Sequence, residues 1–228
     1  MLLKPWEQLP PALQNDAVRP YYEHLKGRKC ALFCKRLLDV VGAVLGVVIC
    51  SPIYLVLAIA IKLDSKGPVF FKQVRVGQYG REFKIYKFRT MVADAQALGA
   101  QVTTGHDPRI TRVGRRIRDF RLDEFSQFIN VLKGDMTFVG TRPEVPRYVA
   151  QYSDEMMATL LLRPGLTGAA SIAFKDENNM LNESEDPEKA YVEKILPIKM
   201  KINLDYTKDF RLGLDFKLIW ETVLCVFK

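Results

Sequence analysis

The stretch DVVGAVLGVVICSPIYLVLAIAIK, from Asp39 to Lys62, dominates the chain because it contains no charged residue between its two ends. A helix rises about 1.5 Å per residue, so a helix of this length covers about 33 Å, close to the thickness of a bilayer core. Ser51 and Pro52 stand at its centre. A proline inside a helix removes one backbone donor and clashes with the carbonyl one turn earlier, near Val48, so we expect a sharp bend. The Ser51 hydroxyl could bond to that same turn and replace part of the lost bonding.

Basic residues flank this segment on both sides: Arg28, Lys29, Lys35 and Arg36 precede it, and Lys62, Lys66, Lys72 and Arg75 end or follow it. Because Lys and Arg favour the cytoplasmic side of a membrane, both ends are expected on that side. A re-entrant hairpin, broken at Ser51 and Pro52, accounts for both the expected bend and the basic residues on the two sides of the segment. A straight transmembrane helix and a buried helix of a soluble protein remain the alternatives.

The net charge of +8 is concentrated in the middle of the chain. Residues 62–147 hold 17 Lys and Arg against 9 Asp and Glu, whereas the small imbalances of the two flanking parts cancel. Such a basic region predicts an anionic partner, whether phosphates, nucleic acid or acidic lipid headgroups. No nucleic-acid recognition motif and no platform of aromatic and basic residues is evident, so nucleic acid is not expected as a partner.

The N-terminal residues and the cysteines give little chemical information. Residues 1–34 begin with a polar, proline-rich stretch without an early apolar run, which predicts an irregular arm and no signal peptide. The cysteines do not have the spacing of a disulfide framework or a zinc ribbon, so we interpret them as reduced thiols. They are Cys30, Cys34, Cys50 and Cys225.

A β-hairpin is predicted in GPVFFKQVRVGQYGREFKIYKFRTM, residues 67–91. Residues 69–76 and 82–88 alternate or run apolar, and the glycines between them supply the turn. Lys87 and Arg89 cluster at the end of the second strand. They are candidates for phosphate contacts, and the alternative is an ordinary solvated strand edge.

A helix is predicted over residues 115–132, ended by Gly134. Large apolar residues recur there at helical spacing: Ile117, Phe120, Phe125, Phe128 and Leu132. Several arginines stand beside them. This combination suits an amphipathic helix at a membrane surface, and it also suits a helix packed on a protein core.

Two adjacent carboxylates, Asp123 and Glu124, lie inside this basic, apolar helix. Neighbouring helical residues project about 100° apart, so one carboxylate could attack while the other holds a metal. Nearby arginines would keep both ionised, and an ionised carboxylate can act as a nucleophile towards phosphorus. Oxygen ligands without a histidine cluster favour Mg²⁺ over zinc. The alternative is a solvated helix face.

Two loops rich in glycine and proline follow, GDMTFVGTRPEVPRY (134–148) and LLRPGLTGAASIAFKDEN (161–178), and each contains an Arg-Pro pair. The guanidinium fork of arginine matches phosphate geometry, and glycine lets backbone N–H groups approach an anion. Either loop alone could be a simple turn. Together with the dyad and the basic hairpin, they predict a phosphate-handling site.

The order of these motifs resembles the bacterial sugar transferase family, in its small, monotopic polyprenol-phosphate phosphoglycosyl transferase form. The resemblance covers about residues 35–175 and rests on the apolar segment, the hairpin, LDE at 122–124, GDMTFVGTRPE and RPGLTG. It implies an α+β fold with interfacial amphipathic helices, a small β-hairpin and a compact helical catalytic domain. Residues 1–34 would be an N-terminal arm, 35–62 a re-entrant membrane helix, and 63–228 a catalytic domain on the cytoplasmic face of a bacterial inner membrane.

The resemblance also implies a reaction. A UDP-sugar would donate its sugar-1-phosphate to undecaprenyl phosphate in the membrane, giving undecaprenyl-diphospho-sugar and UMP and starting a surface glycan. Asp123 would be the nucleophile that becomes phosphoglycosylated, and Glu124 its partner carboxylate, with Mg²⁺ held nearby by the two. Arg118 and Arg142 would bind phosphates.

Further residues follow from the same resemblance. Lys87, Arg89 and Lys175 are additional candidates for phosphate binding, and Ser51 and Pro52 match the break of the re-entrant helix. The segment after RPGLTG departs most from the family pattern and has Lys175 near the place of a usual arginine. A homo-oligomer stays open. The main rival is a non-catalytic membrane-surface adaptor with an anionic ligand, which would not require the dyad.

Overall fold

The computed structural model describes residues 3–95, 107–175, 177 and 186–226. The helices are α1 (Arg19–Lys26), α2 (Lys29–Asp64), α3 (Arg112–Asp119), α4 (Phe128–Lys133), α5 (Pro146–Val149), α6 (Ala169–Ala173), α7 (Pro187–Ala190), α8 (Leu196–Lys208) and α9 (Leu212–Val226). Short 3₁₀ turns cover Trp6–Gln8, Pro11–Leu13, Gln78–Gly80, Leu122–Gln127 and Met156–Leu161, and a π-turn covers Tyr191–Ile195. The strands are β1 (Phe70–Val76), β2 (Glu82–Phe88), β3 (Thr137–Val139) and β4 (Gly165–Thr167). The mixture of helices and small sheets agrees with the expected α+β class.

The predicted β-hairpin is confirmed. Strands β1 and β2 pair antiparallel, and Tyr79 and Gly80 take positive φ values of 61° and 75° in the turn between them. Asn130 of α4 then fixes this hairpin to the rest of the protein. Its side chain accepts a hydrogen bond from Tyr86 N at 3.0 Å and donates one to Lys84 O at 2.9 Å. The helix that follows the carboxylate dyad is therefore attached directly to β2.

The two glycine-rich loops lie side by side, because β3 and β4 form a small parallel pair. Gly140 N donates to Thr167 O and Gly165 N donates to Thr141 O, each at 2.9 Å. A Cβ atom on Gly165 would lie only 2.2 Å from Gly140 N, so a side chain there would force the two backbones apart. The close approach of the two backbones thus requires glycine at position 165, and it holds residues 140–143 in place.

The apolar segment forms one helix, α2, that continues through Pro52. The helix begins at Lys29 instead of residue 35 and continues through Ser51 and Pro52. The bend expected at this place stays a prediction. Ser51 Oγ donates to Val48 O at 2.8 Å. This is the carbonyl that Pro52 leaves without its N–H partner, so the serine compensates for the proline within the helix, as expected.

Both halves of α2 pack against the same body of the protein. In the first half, buried Asp39 accepts hydrogen bonds from Thr137 Oγ1 at 2.6 Å and from Phe138 N at 3.0 Å. In the second half, Tyr54 OH donates to Phe125 O at 2.7 Å, and Asp64 accepts from Val113 N at the start of α3. The rest of the protein therefore packs along both halves of the helix and is not attached at one end only.

The outer side of α2 exposes an almost unbroken apolar surface. Its exposed members include Leu37, Leu38, Val41, Val44, Leu45, Val48, Ile49, Ile53, Leu55, Val56 and Ile59. Helix α9 adds Phe216, Ile219, Trp220, Val223 and Leu224, while its Asp215 and Leu218 are buried. We call these residues the apolar face. Helix α9 thus packs on the core with one side and exposes apolar residues on the other.

Two predictions about local structure are wrong. Residues 3–34 are not an irregular arm, because this segment contains α1 and buries Leu13, Val18 and Leu25 in the largest hydrophobic core. The helix expected over residues 115–132 is divided into α3, a 3₁₀ turn and α4. The division occurs at Arg121, whose left-handed φ of 52° reverses the backbone before the dyad. Gly134, with a φ of 87°, ends α4 as predicted.

Candidate active site

The dyad lies on the 3₁₀ turn Leu122–Gln127, which three hydrogen bonds hold in place. Tyr54 OH donates to Phe125 O at 2.7 Å, and Ser126 Oγ donates to Tyr86 O at 3.0 Å and to Asp123 O at 3.2 Å. Ser126 is fully buried. Because Tyr54 belongs to α2 and Tyr86 to β2, the long helix and the hairpin both position the turn. The apolar segment of the sequence is thus in direct contact with the turn that carries the carboxylates.

Glu124 is held by two cations. Arg142 donates to both of its carboxylate oxygens, with Nη1 3.4 Å from Oε2, and Lys87 Nζ lies 3.0 Å from Oε1. Burial alone would raise the pKa of Glu124, but the charges of Arg142 and Lys87 outweigh burial and hold this pKa well below its usual range. Glu124 in turn raises the pKa of Arg142. The three groups form one ionised cluster.

Asp123 is bound far less tightly. Its carboxylate forms an ion pair with Lys87, whose Nζ lies 4.0 Å from Oδ2. Burial raises the pKa of Asp123, the charge of Lys87 opposes that rise, and the neighbouring Glu124 adds to it. The nearby cations therefore hold the pKa of Glu124 low but do not offset the effect of burial at Asp123. Its ionised form is the less stabilised of the two, and its oxygens remain open to a ligand.

Arg118 lies beside Asp123, although on a different element. Its Nε donates to Thr90 Oγ1 at 2.8 Å, and burial lowers the pKa of its guanidinium while the charge of Asp123 opposes that effect. Thr90 is fixed by α3, because Gly114 packs directly on its backbone. The structure thus brings Arg118, Lys87 and Arg142 together around the dyad, as the sequence predicted.

Arg89 is bound differently from the other predicted phosphate-binding residues. It is buried, and its guanidinium donates to Ser65 O at 2.7 Å and to Lys66 O and Ile61 O at the end of α2. These contacts commit most of its donors to backbone carbonyls, and a contact between Arg89 and a phosphate stays a prediction. The arginine of the second loop, Arg163, is similarly committed, because its Nε donates to Gly134 O at 2.8 Å.

Three concave spaces meet at the dyad. The hairpin cavity, about 730 Å³, lies between β1, β2 and residues 89–95, and Arg118 and Asp123 line it. The charged cavity, about 490 Å³, contains both carboxylates with Arg75, Lys87, Arg118 and Arg142. The apolar groove, about 670 Å³, lies between α2, α9 and the dyad turn and reaches Glu124. Asp123 and Glu124 therefore face different outer spaces and share the middle one.

Lys175 lines both the charged cavity and the apolar groove, and it is exposed. This position agrees with its predicted place near the phosphates. Ser51 and Pro52, in contrast, line none of these three spaces. They belong to the exposed stretch of α2, so their role concerns the helix.

A buried polar network in the wall of the charged cavity was not predicted from the sequence. Tyr191 OH donates to Glu144 Oε1 at 2.5 Å, and Lys199 Nζ lies 3.1 Å from Tyr191 OH and 2.9 Å from Glu177 Oε2. Burial and the charge of Glu144 raise the pKa of Tyr191. Glu144 stands directly after the Arg-Pro pair of the first loop, and this position could have signalled it. Lys199 lies in an ordinary helix sequence without any such signal.

Carboxylates at the dyad suit a hard cation. Within the residues that the structure describes, no group of three or more His, Cys, Asp or Glu side chains could hold a metal ion. Mg²⁺ needs no such cage, because it commonly binds through one or two carboxylates together with substrate phosphates. The open oxygens of Asp123 fit this pattern better than Glu124, which two cations already occupy.

Comparison with known proteins gives one family and several relatives. The model of the family described as bacterial sugar transferase matches residues 30–228. The chain is 39% identical over 194 residues to a UDP-N-acetylgalactosamine-undecaprenyl-phosphate N-acetylgalactosaminephosphotransferase of Aeromonas hydrophila, covering 84% of this chain and 43% of that protein.

Two relatives are named UDP-glucose:undecaprenyl-phosphate glucose-1-phosphate transferase. The one from Klebsiella pneumoniae is 38% identical, over 83% of this chain and 39% of that protein. The one from Caulobacter vibrioides is 36% identical, over 83% of this chain and 68% of that protein. The chain thus spans about two fifths of the length of the first two relatives and about two thirds of the third.

Proposed function

Because the chain belongs to the bacterial sugar transferase family, we propose that it transfers sugar-1-phosphate from a UDP-sugar to undecaprenyl phosphate. The products are undecaprenyl-diphospho-sugar and UMP, and the step begins the assembly of a surface glycan. Relatives named for UDP-glucose and UDP-N-acetylgalactosamine support a UDP-linked hexose or N-acetylhexosamine as the donor. The observation that carries the proposal is an open carboxylate, Asp123, surrounded by phosphate-binding cations.

In the first step, an oxygen of Asp123 attacks the β-phosphorus of the donor, the one that bears the sugar. A bond forms between this oxygen and phosphorus, the bond from phosphorus to the bridging oxygen breaks, and UMP leaves with that oxygen. A carboxylate and a diphosphate repel each other, so their charges must be neutralised before attack. Lys87 and Arg118 stand beside Asp123 and supply positive charge there.

In the second step, the phosphate of the lipid attacks the phosphorus carried by Asp123. The new phosphorus–oxygen bond forms the lipid diphosphosugar, and the bond to Asp123 breaks and regenerates the carboxylate. Arg142 lies within hydrogen-bond distance of Glu124 and lines the space that both carboxylates share, so it is placed to bind the lipid phosphate. Two steps through one aspartate predict ping-pong kinetics.

Mg²⁺ is part of the proposal, and Asp123, whose oxygens have fewer partners than those of Glu124, would hold it together with the diphosphate oxygens. When bound, it would neutralise charge on the transferring phosphoryl group. The residues of the chain itself supply the nucleophile, the guanidinium groups and the orientation of the turn.

The experiment that tests this function follows the covalent intermediate. The protein, incubated with a UDP-sugar and Mg²⁺ but no lipid, should gain the mass of a sugar phosphate on the peptide that contains Asp123. Asp123→Asn should gain none, whereas Asp119→Asn, which changes an exposed carboxylate of the preceding helix, should be labelled normally. Label on another residue, or normal turnover by the Asp123→Asn protein, would contradict the role of Asp123 as the nucleophile.

We further propose that α2 enters and leaves the membrane by the cytoplasmic face and that the catalytic body rests on that face. By length and composition α2 is long and apolar enough to cross a membrane. Its contacts at Asp39, Tyr54 and Asp64 with one folded body argue against crossing, since a spanning helix would pull that body into the bilayer core. The apolar face supplies the surface that lipid would cover.

Cysteine accessibility tests this topology. With the other cysteines replaced, Cys30 alone and a single cysteine in a Lys66→Cys protein should react with a membrane-impermeant reagent from the same side. Labelling from opposite sides would show a spanning helix. Pro52→Leu, which restores the missing backbone donor, should favour spanning over re-entry.

A further inference from the structure

We propose that the apolar groove between α2 and α9 binds the first isoprene units of the lipid phosphate. The inference rests on the proposed function and adds to it a binding site for one of the two substrates. The groove is walled by Leu38 of α2, by Phe125 and Phe128 beside the dyad, and by Phe216, Ile219 and Val223 of α9. Apolar walls of this kind suit a branched hydrocarbon chain and offer few hydrogen-bond partners to a nucleotide or a sugar.

The part of the groove beside the dyad carries basic residues, whereas the other charged residues of its lining, Lys35, Asp39 and Asp215, are buried and hydrogen-bonded within the protein. Arg121, Arg142 and Lys175 line this end together with Glu124, and the same residues line the charged cavity. Arg142 is paired with Glu124, whereas no ion pair is recorded for Arg121 or Lys175 among the described residues. A monoanionic or dianionic headgroup at this end would meet uncommitted positive charge, while its hydrocarbon chain would lie along the groove.

The other end of the groove opens onto the apolar face. Leu38, Phe216, Ile219 and Val223 are partly exposed, and each belongs both to the groove wall and to the apolar face. A chain that leaves the groove here would continue directly into the surface that the proposed topology places in lipid. The groove is therefore a path from the bilayer to Glu124 that does not expose the hydrocarbon to water.

The hairpin cavity lies on the far side of the dyad and shares no described lining residue with the groove. Asp123 faces the hairpin cavity and Glu124 faces the groove, while the charged cavity joins the two. The water-soluble donor and the lipid acceptor can thus approach one aspartate from opposite sides. The division of the cavities, together with the charges at the inner end of the groove, is what favours an isoprenoid phosphate over an unrelated apolar ligand.

Adjacent residues of α9 provide a matched test. Val223 and Leu224 are 41% and 43% exposed, but only Val223 lines the groove. Val223→Trp should fill the groove and raise the KM for undecaprenyl phosphate roughly tenfold, a change of about 1.4 kcal/mol in binding. Leu224→Trp should leave the KM unchanged, because Leu224 does not line the groove. Both variants keep the membrane-facing side of the helix apolar.

The donor half-reaction separates this inference from the proposed function. Exchange of labelled UMP into UDP-sugar, measured without lipid, should proceed equally in the wild-type protein and in both variants. Absence of exchange in the wild-type protein would overturn the proposed function. Equal slowing of exchange and lipid use in Val223→Trp alone would show that the groove serves the donor and would overturn the inference, as would an unchanged KM.

A direct binding measurement does not depend on catalysis. A benzophenone-bearing isoprenoid phosphate should crosslink to residues 212–226 in the wild-type protein and in Leu224→Trp, and Val223→Trp should lose that crosslink. Equal crosslinking by a benzophenone-bearing phospholipid would show a general acyl site and overturn the assignment. If Val223→Trp unfolds, Ile219→Gln with Trp220→Gln as its control makes the same comparison, because only Ile219 lines the groove.

Discussion

The two sides of the turn Leu122–Gln127 are built differently, although their carboxylates are neighbours in the chain. On one side, Glu124 is fixed by Arg142 and Lys87, which hold its pKa far below the usual range. On the other side, Asp123 lies 4.0 Å from Lys87, and burial raises its pKa. One carboxylate is held by two close cations, and the other is partly buried beside a more distant cation.

This difference indicates a division of roles. A carboxylate that two cations already neutralise is a weak nucleophile, but it organises those cations around the space in front of it. A carboxylate with few partners has reactive lone pairs, and its burial destabilises the charged form. Glu124 is thus a positioning residue for Arg142 and Lys87, and Asp123 is the proposed catalytic residue.

The largest expected effect is on turnover. Asp123→Asn should reduce kcat by roughly a thousandfold or more, as expected when a covalent nucleophile is removed. Glu124→Gln should reduce kcat less, because the nucleophile remains and only the order of its cations is lost. Steady-state release of UMP in the presence of UDP-sugar and undecaprenyl phosphate measures both. Equal losses in the two variants would contradict the division of roles.

The next effect concerns the two arginines that flank the dyad. Arg118→Lys and Arg142→Lys keep the positive charge but lose the planar fork, so each should reduce kcat/KM by roughly a hundredfold. The half-reactions should then differ. Arg118→Lys should slow UMP exchange, because Arg118 lines the hairpin cavity, whereas Arg142→Lys should mainly slow transfer to the lipid phosphate.

Arg147→Lys, a change at a partly exposed arginine that lines none of the three spaces, is the control and should behave as the wild-type protein. Wild-type kinetics in both Arg118→Lys and Arg142→Lys would show that these arginines serve the protein surface and not the phosphates.

Much of this site could be predicted from local patterns. The hairpin, the glycine that ends α4 and the gathering of Arg118, Arg142 and Lys87 around the dyad follow from short-range spacing and from the family motifs. The contrast between Asp123 and Glu124 could not be predicted. It depends on the left-handed backbone of Arg121, which replaces a continuous helix by a 3₁₀ turn and aims the two side chains into different spaces.

Long-range contacts are the other features that the sequence could not predict. Arg89 stands in a basic cluster that predicts phosphate binding, but the end of α2, more than twenty positions earlier, supplies carbonyls that accept from most of its donors. The proline-rich N-terminal sequence predicts an arm, yet Leu13 and Leu25 fit a core formed by residues from the other end of the chain, such as Phe210. The residue pattern within either segment therefore cannot predict these distant partners.

A smaller effect is expected on stability, with opposite consequences at the two carboxylates. Glu124→Gln removes charge-assisted hydrogen bonds to Arg142 and Lys87 and should lower the free energy of unfolding at pH 7 by about 1–2 kcal/mol, allowing for their partial exposure. Asp123→Asn removes a charge that burial disfavours, so it should leave stability unchanged or raise it slightly. Thermal unfolding in detergent compares the variants. A lower melting temperature for Asp123→Asn than for Glu124→Gln would contradict the comparison.

The finest test uses the pH dependence of the donor half-reaction. Only ionised Asp123 can attack, so the rate should fall as pH decreases through the pKa of Asp123. The positive charge of Lys87 lowers that pKa, so Lys87→Met should raise it and move the acid limb of the profile to higher pH. Loss of Lys87 also leaves Glu124 less neutralised, and its negative charge raises the pKa of Asp123 further, in the same direction.

Lys84→Met is the matched control for this change, since Lys84 is exposed on the same strand and lines none of the three spaces. The position of the acid limb is the informative quantity, because Lys87→Met will also lower the maximum rate through lost phosphate contacts. A limb that stays at the wild-type pH in Lys87→Met would assign it to a group other than Asp123. An acid limb that shifts to higher pH in Lys87→Met and not in Lys84→Met would show that the rate of attack depends on the ionisation of Asp123.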